Sequence, residues 1–320
     1  MRIAVLNPNY NFLSGPRSMH RYAEVFINKY CSDILTYEQA QVYKGDVIVQ
    51  LSGRPDLFQN CPPKEFKGLK VVHLMDHVFQ VNRTNEKLKE NEIDYVMCYN
   101  RHDLYDDFFK YAYKEYIGKV IPVPFGFNDL RFSSKYPYLE RKNKVLALGA
   151  VNPVSDPLCI ADIAVYAAFY KDEPFTHKWR RMLSLNEKRF ESIMDSLLPS
   201  YPKTKDFSYD IVGKYNEYKM FTSGESIMNY PSVKTFEGMA CGSVLVCSDH
   251  QCYKDLGLVD KQNCLMHSQY DLNSFEEVVL WGQNNPEELA RISEEGINLA
   301  KERYTPEKIA DYLFTKLTEL

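Results

Sequence analysis

The feature that most restricts this chain is a short apolar run that recurs through its first 126 residues and closes each time on small or polar residues. MRIAVLNP, DVIVQLSG at 46 to 53, KVVHLMDH at 70 to 77, IDYVMCYN at 93 to 100 and KVIPVPFG at 119 to 126 all have this form. Segments of helical spacing such as MHRYAEVFINKY stand between them. A strand that is apolar on both faces must be covered on both, and strands that alternate with helices join most simply as parallel neighbours. The expectation is a parallel α/β sheet with helices on both faces. Ligands of such sheets bind beyond the carboxyl ends of the strands. That rule singles out Gly15, Arg17, Ser52, Gly53, Asp76, His77, Asn100 and Gly126.

A chain of 320 residues is longer than the ~250 to 300 at which single cores stop growing, so two domains are expected. NDLRFSSKYPYLERKN at 128 to 143 is polar and has no sustained period, and KVLALGA at 144 to 150 then begins a new buried strand. The domains are read as 1–135 and 136–305, with 306–320 a terminal helix that packs back on the first. Most of 151 to 205 reads as helix, WRRMLSLNEKRFESIMDSLL being its most periodic part. Ser274 with Glu277 has the spacing of a capping box, and Thr305-Pro306 that of a cap followed by a first-turn proline.

Composition narrows the function classes. With 45% hydrophobic and 26% charged residues the chain is a folded protein. Lys and Arg balance Asp and Glu over residues 1 to 130, and the remainder is acidic, so there is no basic excess for wrapping nucleic acid. KYAYKEYIGK at 110 to 119 reads first as a solvated helix face, with peripheral contact to a membrane as the alternative. The eight Cys show no C-x-x-C pair, and no secretory leader precedes the first strand; both point to reduced thiols in the cytoplasm. No apolar run approaches the ~20 residues of a membrane span.

Between 234 and 249 the chain reads KTFEGMACGSVLVCSD. Ser232 is a candidate N-cap for a short helix that Gly242 stops. Val233, Phe236 and Ala240 fall on one face of that helix, and Lys234 and Glu237, three apart, share another. The start of a helix favours an anion and Lys234 adds a full charge, while a carboxylate one turn further in accepts hydrogen bonds from hydroxyls. Phosphate beside ribose satisfies both groups. The alternative is an exposed pair worth a few tenths of a kcal/mol.

This segment, together with KDLG, NCLMHS and the EEGINLAKERYT helix, resembles the C-terminal domain of GT-B fold glycosyltransferases, and most of all family 4 and the spore-maturation type. PVPFGFNDLRF at 122 to 132 and VLALGA extend the resemblance. It implies two Rossmann-like domains facing a cleft, the second holding a nucleotide-sugar donor and the first receiving the acceptor. On this resemblance Lys234 binds donor phosphate and Glu237 the ribose, with Thr235, Phe236 and Gly149 in the same donor site. Many retaining members carry a glutamate where Asn229 stands here, and Glu225 is out of register for that role. Arg180 and Arg181 are candidates for a second cation, against an exposed helix surface as the alternative. Gly15 and Arg17 are candidates for donor or acceptor contact, against a simple turn.

Asp76 is the first candidate for the base that takes the acceptor proton, and His77 the second; His73 reads as structural. No Asp-x-Asp occurs, so no metal is expected. The implied activity is metal-independent transfer, of hexosyltransferase type, from a UDP- or GDP-linked sugar to a saccharide or other hydroxyl, including glycan or lipid-linked acceptors. A nucleotide-sugar 2-epimerase and a catalytically degenerate nucleotide-sugar binding protein are the alternatives. A dinucleotide oxidoreductase is disfavoured because no G-x-G-x-x-G follows the first strand.

Overall fold

The computed structural model describes residues 1–6, 21–51, 61–155, 162–199 and 209–320. Gly15, Arg17, Ser52 and Gly53 lie outside these. The chain divides into two units: residues 1–126, 155–171 and 306–320 form unit 1, and residues 127–154 and 172–305 form unit 2.

Unit 1 is built on strands β1 (Ile3–Leu6), β2 (Cys31–Leu35), β3 (Val47–Gln50), β4 (Leu69–His73), β5 (Tyr95–Cys98) and β6 (Val120–Pro122). They lie in the order β2-β1-β3-β4-β5-β6 with every neighbouring pair parallel. Five of the six are the apolar runs of the sequence, and β1 and β3 are buried at every residue. β2 has no such run because it forms the sheet edge: in CSDIL only Leu35 is buried. The terminal helix Pro306–Thr318, which starts at the proline as expected, belongs to unit 1 and packs on the helix Arg21–Tyr30. There the Tyr30 ring stacks on Phe314 at 4.1 Å and Asp311 accepts from Lys29 and from the Tyr30 hydroxyl, both at 2.7 Å.

The stretch KYAYKEYIGK is not one solvated helix face. The helix Asp107–Ala112 ends inside it and a single tight turn, Lys114–Tyr116, follows. Tyr113 and Tyr116 are buried, their hydroxyls donating to the His77 and Ile93 carbonyls, and these bonds draw the chain inward.

Unit 2 holds β7 (Lys142–Leu148), β8 (Met194–Leu197), β9 (Tyr218–Thr222), β10 (Val244–Ser248) and β11 (Leu265–His267), again all parallel, in the order β11-β10-β9-β7-β8. Its core gathers Val145, Trp179, Leu183, Phe190, Met220, Val246, Phe275 and Ile292. The chain leaves β7 toward one edge and returns to β9 on the other side, so the strand order reverses between these two strands. Open α/β sheets hold ligands at such a reversal, beyond the strand ends.

Two local expectations are corrected in this unit. The periodic stretch WRRMLSLNEKRFESIMDSLL is not one helix: its helix stops at Leu185, and Met194–Leu197 pairs with β7 as β8. Phe190, fully buried in the core between them, anchors the turn that breaks the helical period. Ser274 is not the cap of its helix either. Asp271 caps the helix Leu272–Asn284 by accepting from the Asn273 and Ser274 amides, and the Ser274 hydroxyl instead accepts from the Ser268 amide.

Candidate functional site

The helix Lys234–Ala240 follows β9 and precedes β10. Its carboxyl end is fixed by Gly242, which takes φ +78°, and by a pair of closing bonds, Gly242 N–H to the Met239 carbonyl and Ser243 N–H to the Gly238 carbonyl. Gly238 sits against the Phe221 ring so closely that a Cβ there would fall 2.4 Å from it. Phe236 is turned into the core, its ring stacked on Tyr304 at 3.5 Å, and Thr235 is buried. Ser232 does not cap the helix: Val233 holds that position with no side-chain bond, and the Ser232 hydroxyl lies 3.0 Å from that of Ser223. Lys234 and Glu237 are left half-buried on the remaining face.

Arg180 reaches the same place from the helix Lys178–Leu185. Its side chain is buried and its guanidinium joins the two strand ends at the reversal. Nε donates to the Ser223 carbonyl at 2.6 Å, Nη2 to the Ser223 hydroxyl at 3.1 Å, and Nη1 to the Ala150 carbonyl at 3.0 Å. Gly149 lets it pass: this residue has φ +116°, and a Cβ on it would lie 2.9 Å from the guanidinium. Arg181 points elsewhere and lies over the Phe175 ring at 5.0 Å.

The electrostatics tie these groups together. Burial and then the Arg180 charge push the Lys234 ammonium down to about 8, with Glu237 opposing them. Burial raises the Glu237 carboxyl to about 7 against the pull of Lys234 and Arg131. His177 is held neutral by burial and by the same two cations, Arg180 and Lys234, and its Nδ1 is a buried atom without a hydrogen-bond partner among the described residues. Neither Arg180 nor Lys234 forms an ion pair at contact distance among the described residues. Lys234, Arg180 and Glu237 thus interact at one locus, at the strand ends where a parallel sheet takes its ligands.

Beside it lies a polar network that sequence reasoning left unassembled. Glu225, buried just after β9, accepts from the Ser248 hydroxyl and from Gln269 Nε2, both at 2.8 Å, and the same Gln269 nitrogen donates to Asn229 at 3.0 Å. Asn229 is left-handed, with φ 53°. These residues come from the ends of β9, β10 and β11, and no spacing in the sequence links them.

In unit 1 the loop after β4 carries Asp76, exposed and left-handed at φ 43°, and His77, which is buried. His77 Nε2 lies 2.7 Å from Asp106 Oδ2, and His102 Nδ1 lies 3.0 Å from the same oxygen. The other Asp106 oxygen accepts from the Phe108 and Phe109 amides. Burial alone would raise the Asp106 carboxyl, but His77 and His102 outweigh it and hold it well below the usual range. This is a set whose ligand atoms lie close enough to share a metal ion, within 4.8 Å of one another. As it stands, the carboxylate is filled by protein donors. His73 is buried in β4 with its ring nitrogen toward the Leu51 carbonyl, and burial lowers it to about 4.

The fold can be set beside solved structures. HepE of Anabaena, crystallised in complex with UDP and glucose, superposes with a TM-score of 0.57 at 11% identity over 100% of both chains. Sucrose-phosphate synthase of Thermosynechococcus elongatus gives 0.54 at 10% identity, over 100% of this chain and 99% of that one. A glycosyltransferase of Rickettsia africae gives 0.52 at 11%, over 99% and 98%. At such identities the likeness is one of fold: two parallel-sheet α/β units, the GT-B class. Within it, residues 204–315 match the family profile described as glycosyl transferase-like, a stretch that contains Lys234, Glu237 and the Glu225 network. No curated protein sequence matches the chain. Among the described residues no helix is long and apolar enough to cross a membrane.

Proposed function

We propose that this protein is a cytoplasmic glycosyltransferase of the family 4 or spore-maturation type that moves a hexose from a UDP- or GDP-linked donor to a hydroxyl acceptor without a metal. The observation that carries the reading is the charge arrangement at the β7/β9 reversal. Lys234 and Arg180 stand there without a contact-distance carboxylate partner among the described residues, and Glu237 lies one helical turn from Lys234. Two partly desolvated cations are suited to the diphosphate that gathers charge as the glycosidic bond breaks. Two of the five Arg180 N–H donors are not used in its three bonds to the strand ends. Glu237 accepts from the ribose hydroxyls. The cations, rather than a metal, carry the leaving group, and Asp76 is the base for the acceptor proton.

The first test is thermal stabilisation by UDP and GDP. A ligand at ~100 times its dissociation constant adds ~2.7 kcal/mol. The expected result is a clear shift with one of the two nucleotides that is lost in Lys234→Ala and in Glu237→Ala. No shift with either nucleotide, or an equal shift in the variants, overturns the site. Transfer from the matching nucleotide sugar is expected to survive exhaustive chelation, and its loss would overturn the metal-free mechanism.

A further inference from the structure

The transferase reading gives no task to the buried trio of His77, His102 and Asp106 in unit 1. Three short segments bring these side chains together. His77 lies in the loop after β4, His102 opens the helix His102–Tyr105, and Asp106 caps the helix Asp107–Ala112. Their side chains are 4%, 1% and 0% exposed. A carboxylate buried so completely needs a positive partner, which here is either a protonated imidazole or a metal ion. One imidazole is enough to supply a proton. Two that converge on the same oxygen are what an ion requires.

The geometry is close to that of a metal site. His77 Nε2 and His102 Nδ1 stand 2.7 and 3.0 Å from Asp106 Oδ2. Zinc bonds to nitrogen and carboxylate oxygen are roughly 2.0 to 2.2 Å long, which sets neighbouring ligand atoms of a tetrahedron roughly 3.3 Å apart. Each nitrogen therefore withdraws from the oxygen by roughly half an ångström when an ion replaces the two hydrogen bonds. The two nitrogens, no more than 4.8 Å apart, close toward the same spacing. The carboxylate is already aimed, because its other oxygen accepts from the Phe108 and Phe109 amides at 2.9 and 3.1 Å. Ligands held from behind in this way are the rule at metal centres. Around them the rings of Phe108, Phe109 and Tyr113 lie 6.1, 5.8 and 6.1 Å from the His77 ring, an apolar shell that limits access of water.

The donor set determines the class of ion. Two imidazoles and one carboxylate suit zinc and its first-row neighbours, whereas calcium and magnesium take oxygen ligands. We propose that His77, His102 and Asp106 form a zinc site that ties the loop after β4 to the two short helices at 102 to 112. The ion takes no part in the transfer reaction proposed above. Protein hydrogen bonds close the cluster in its absence, so it adds stability to unit 1 without being needed for folding.

The test strips the full-length protein with a chelator and titrates it with Zn²⁺ against a chelating dye. The expected result is one tightly held zinc per chain and a raised unfolding temperature. His102→Gln and Asp106→Asn keep a hydrogen-bonding group where each ligand stood. Both are expected to bind zinc about tenfold more weakly or worse and to lose the zinc-dependent rise while still melting cooperatively. Should either variant fail to fold, X-ray absorption by the zinc-loaded wild type decides alone, with two imidazoles and carboxylate oxygen expected around the ion. Wild-type protein that holds no zinc, variants that hold it as tightly as wild type, or a zinc without two imidazoles overturns the site.

Discussion

At the scale of single residues, the proposed donor site, with Lys234 on phosphate and Glu237 on ribose, is expected to bind its ligand in a way that depends on pH from both sides. A diphosphate favours the protonated ammonium, and that ammonium, lowered to about 8, is lost as pH rises through that value, well before an ordinary lysine would be. The ribose hydroxyls need the ionised carboxylate, and a carboxyl raised to about 7 ionises late. UDP affinity is therefore expected to peak between the two values and to fall by up to about tenfold per pH unit on either side. Titration calorimetry from pH 5.5 to 10 checks this. Lys234→Arg, whose guanidinium stays charged, is expected to abolish the alkaline fall while keeping the acid one. A wild-type profile that is flat to pH 10 would contradict the assignment. Gly149 is the second residue on which the site depends. Gly149→Ala places a methyl group 2.9 Å from the Arg180 guanidinium on a backbone at φ +116°. The cost is roughly 1 to 3 kcal/mol, read as a lower unfolding temperature together with weaker UDP binding, because Arg180 is what joins Ala150 to Ser223.

At the scale of elements, the Lys234–Ala240 helix shows what sequence can and cannot reveal. Its end was legible: Gly242 at φ +78° closes the helix through two backbone bonds that a Cβ-bearing residue would strain. Gly242→Ala is expected to lower stability by about 1 kcal/mol, measured as the midpoint of urea unfolding, with no change in the slope of the transition. The start of the helix was not legible, because the Ser232 hydroxyl is engaged by Ser223, a partner nine residues away whose position depends on β9 and Arg180. The same contrast holds for strands. Buried central strands announce themselves as unbroken apolar runs, whereas β2 at an edge and β8 inside a helical period exist through their pairing with β1 and β7. At the candidate site, Lys234 and Glu237 could be read together because one helical turn links them. Glu225, Ser248 and Gln269 could not, since three separate strand ends bring them within hydrogen-bond distance.

At the scale of the whole molecule, the chain order and the folded units do not coincide. Unit 1 draws on residues 1–126, 155–171 and 306–320, so its last helix is made only after all of unit 2 has been synthesised. That helix buries Ile309, Leu313 and Leu317 almost completely. At ~1.5 to 3 kcal/mol for each large aliphatic side chain, the three amount to a large share of the ~5 to 15 kcal/mol that stabilises a typical protein. The Tyr30–Phe314 stack and the two bonds to Asp311 are lost with them. A chain that ends at Thr305 is therefore expected to leave unit 1 unfolded or aggregating at 37 °C. Leu313→Ala, which keeps the helix but opens a cavity beneath it, is expected to cost ~2 to 5 kcal/mol. Calorimetric unfolding of the three proteins decides the matter. If the shortened chain melts at the temperature of the full-length protein, unit 1 is complete without its last helix, and the return of the chain at Pro306 is an appendage rather than part of the fold.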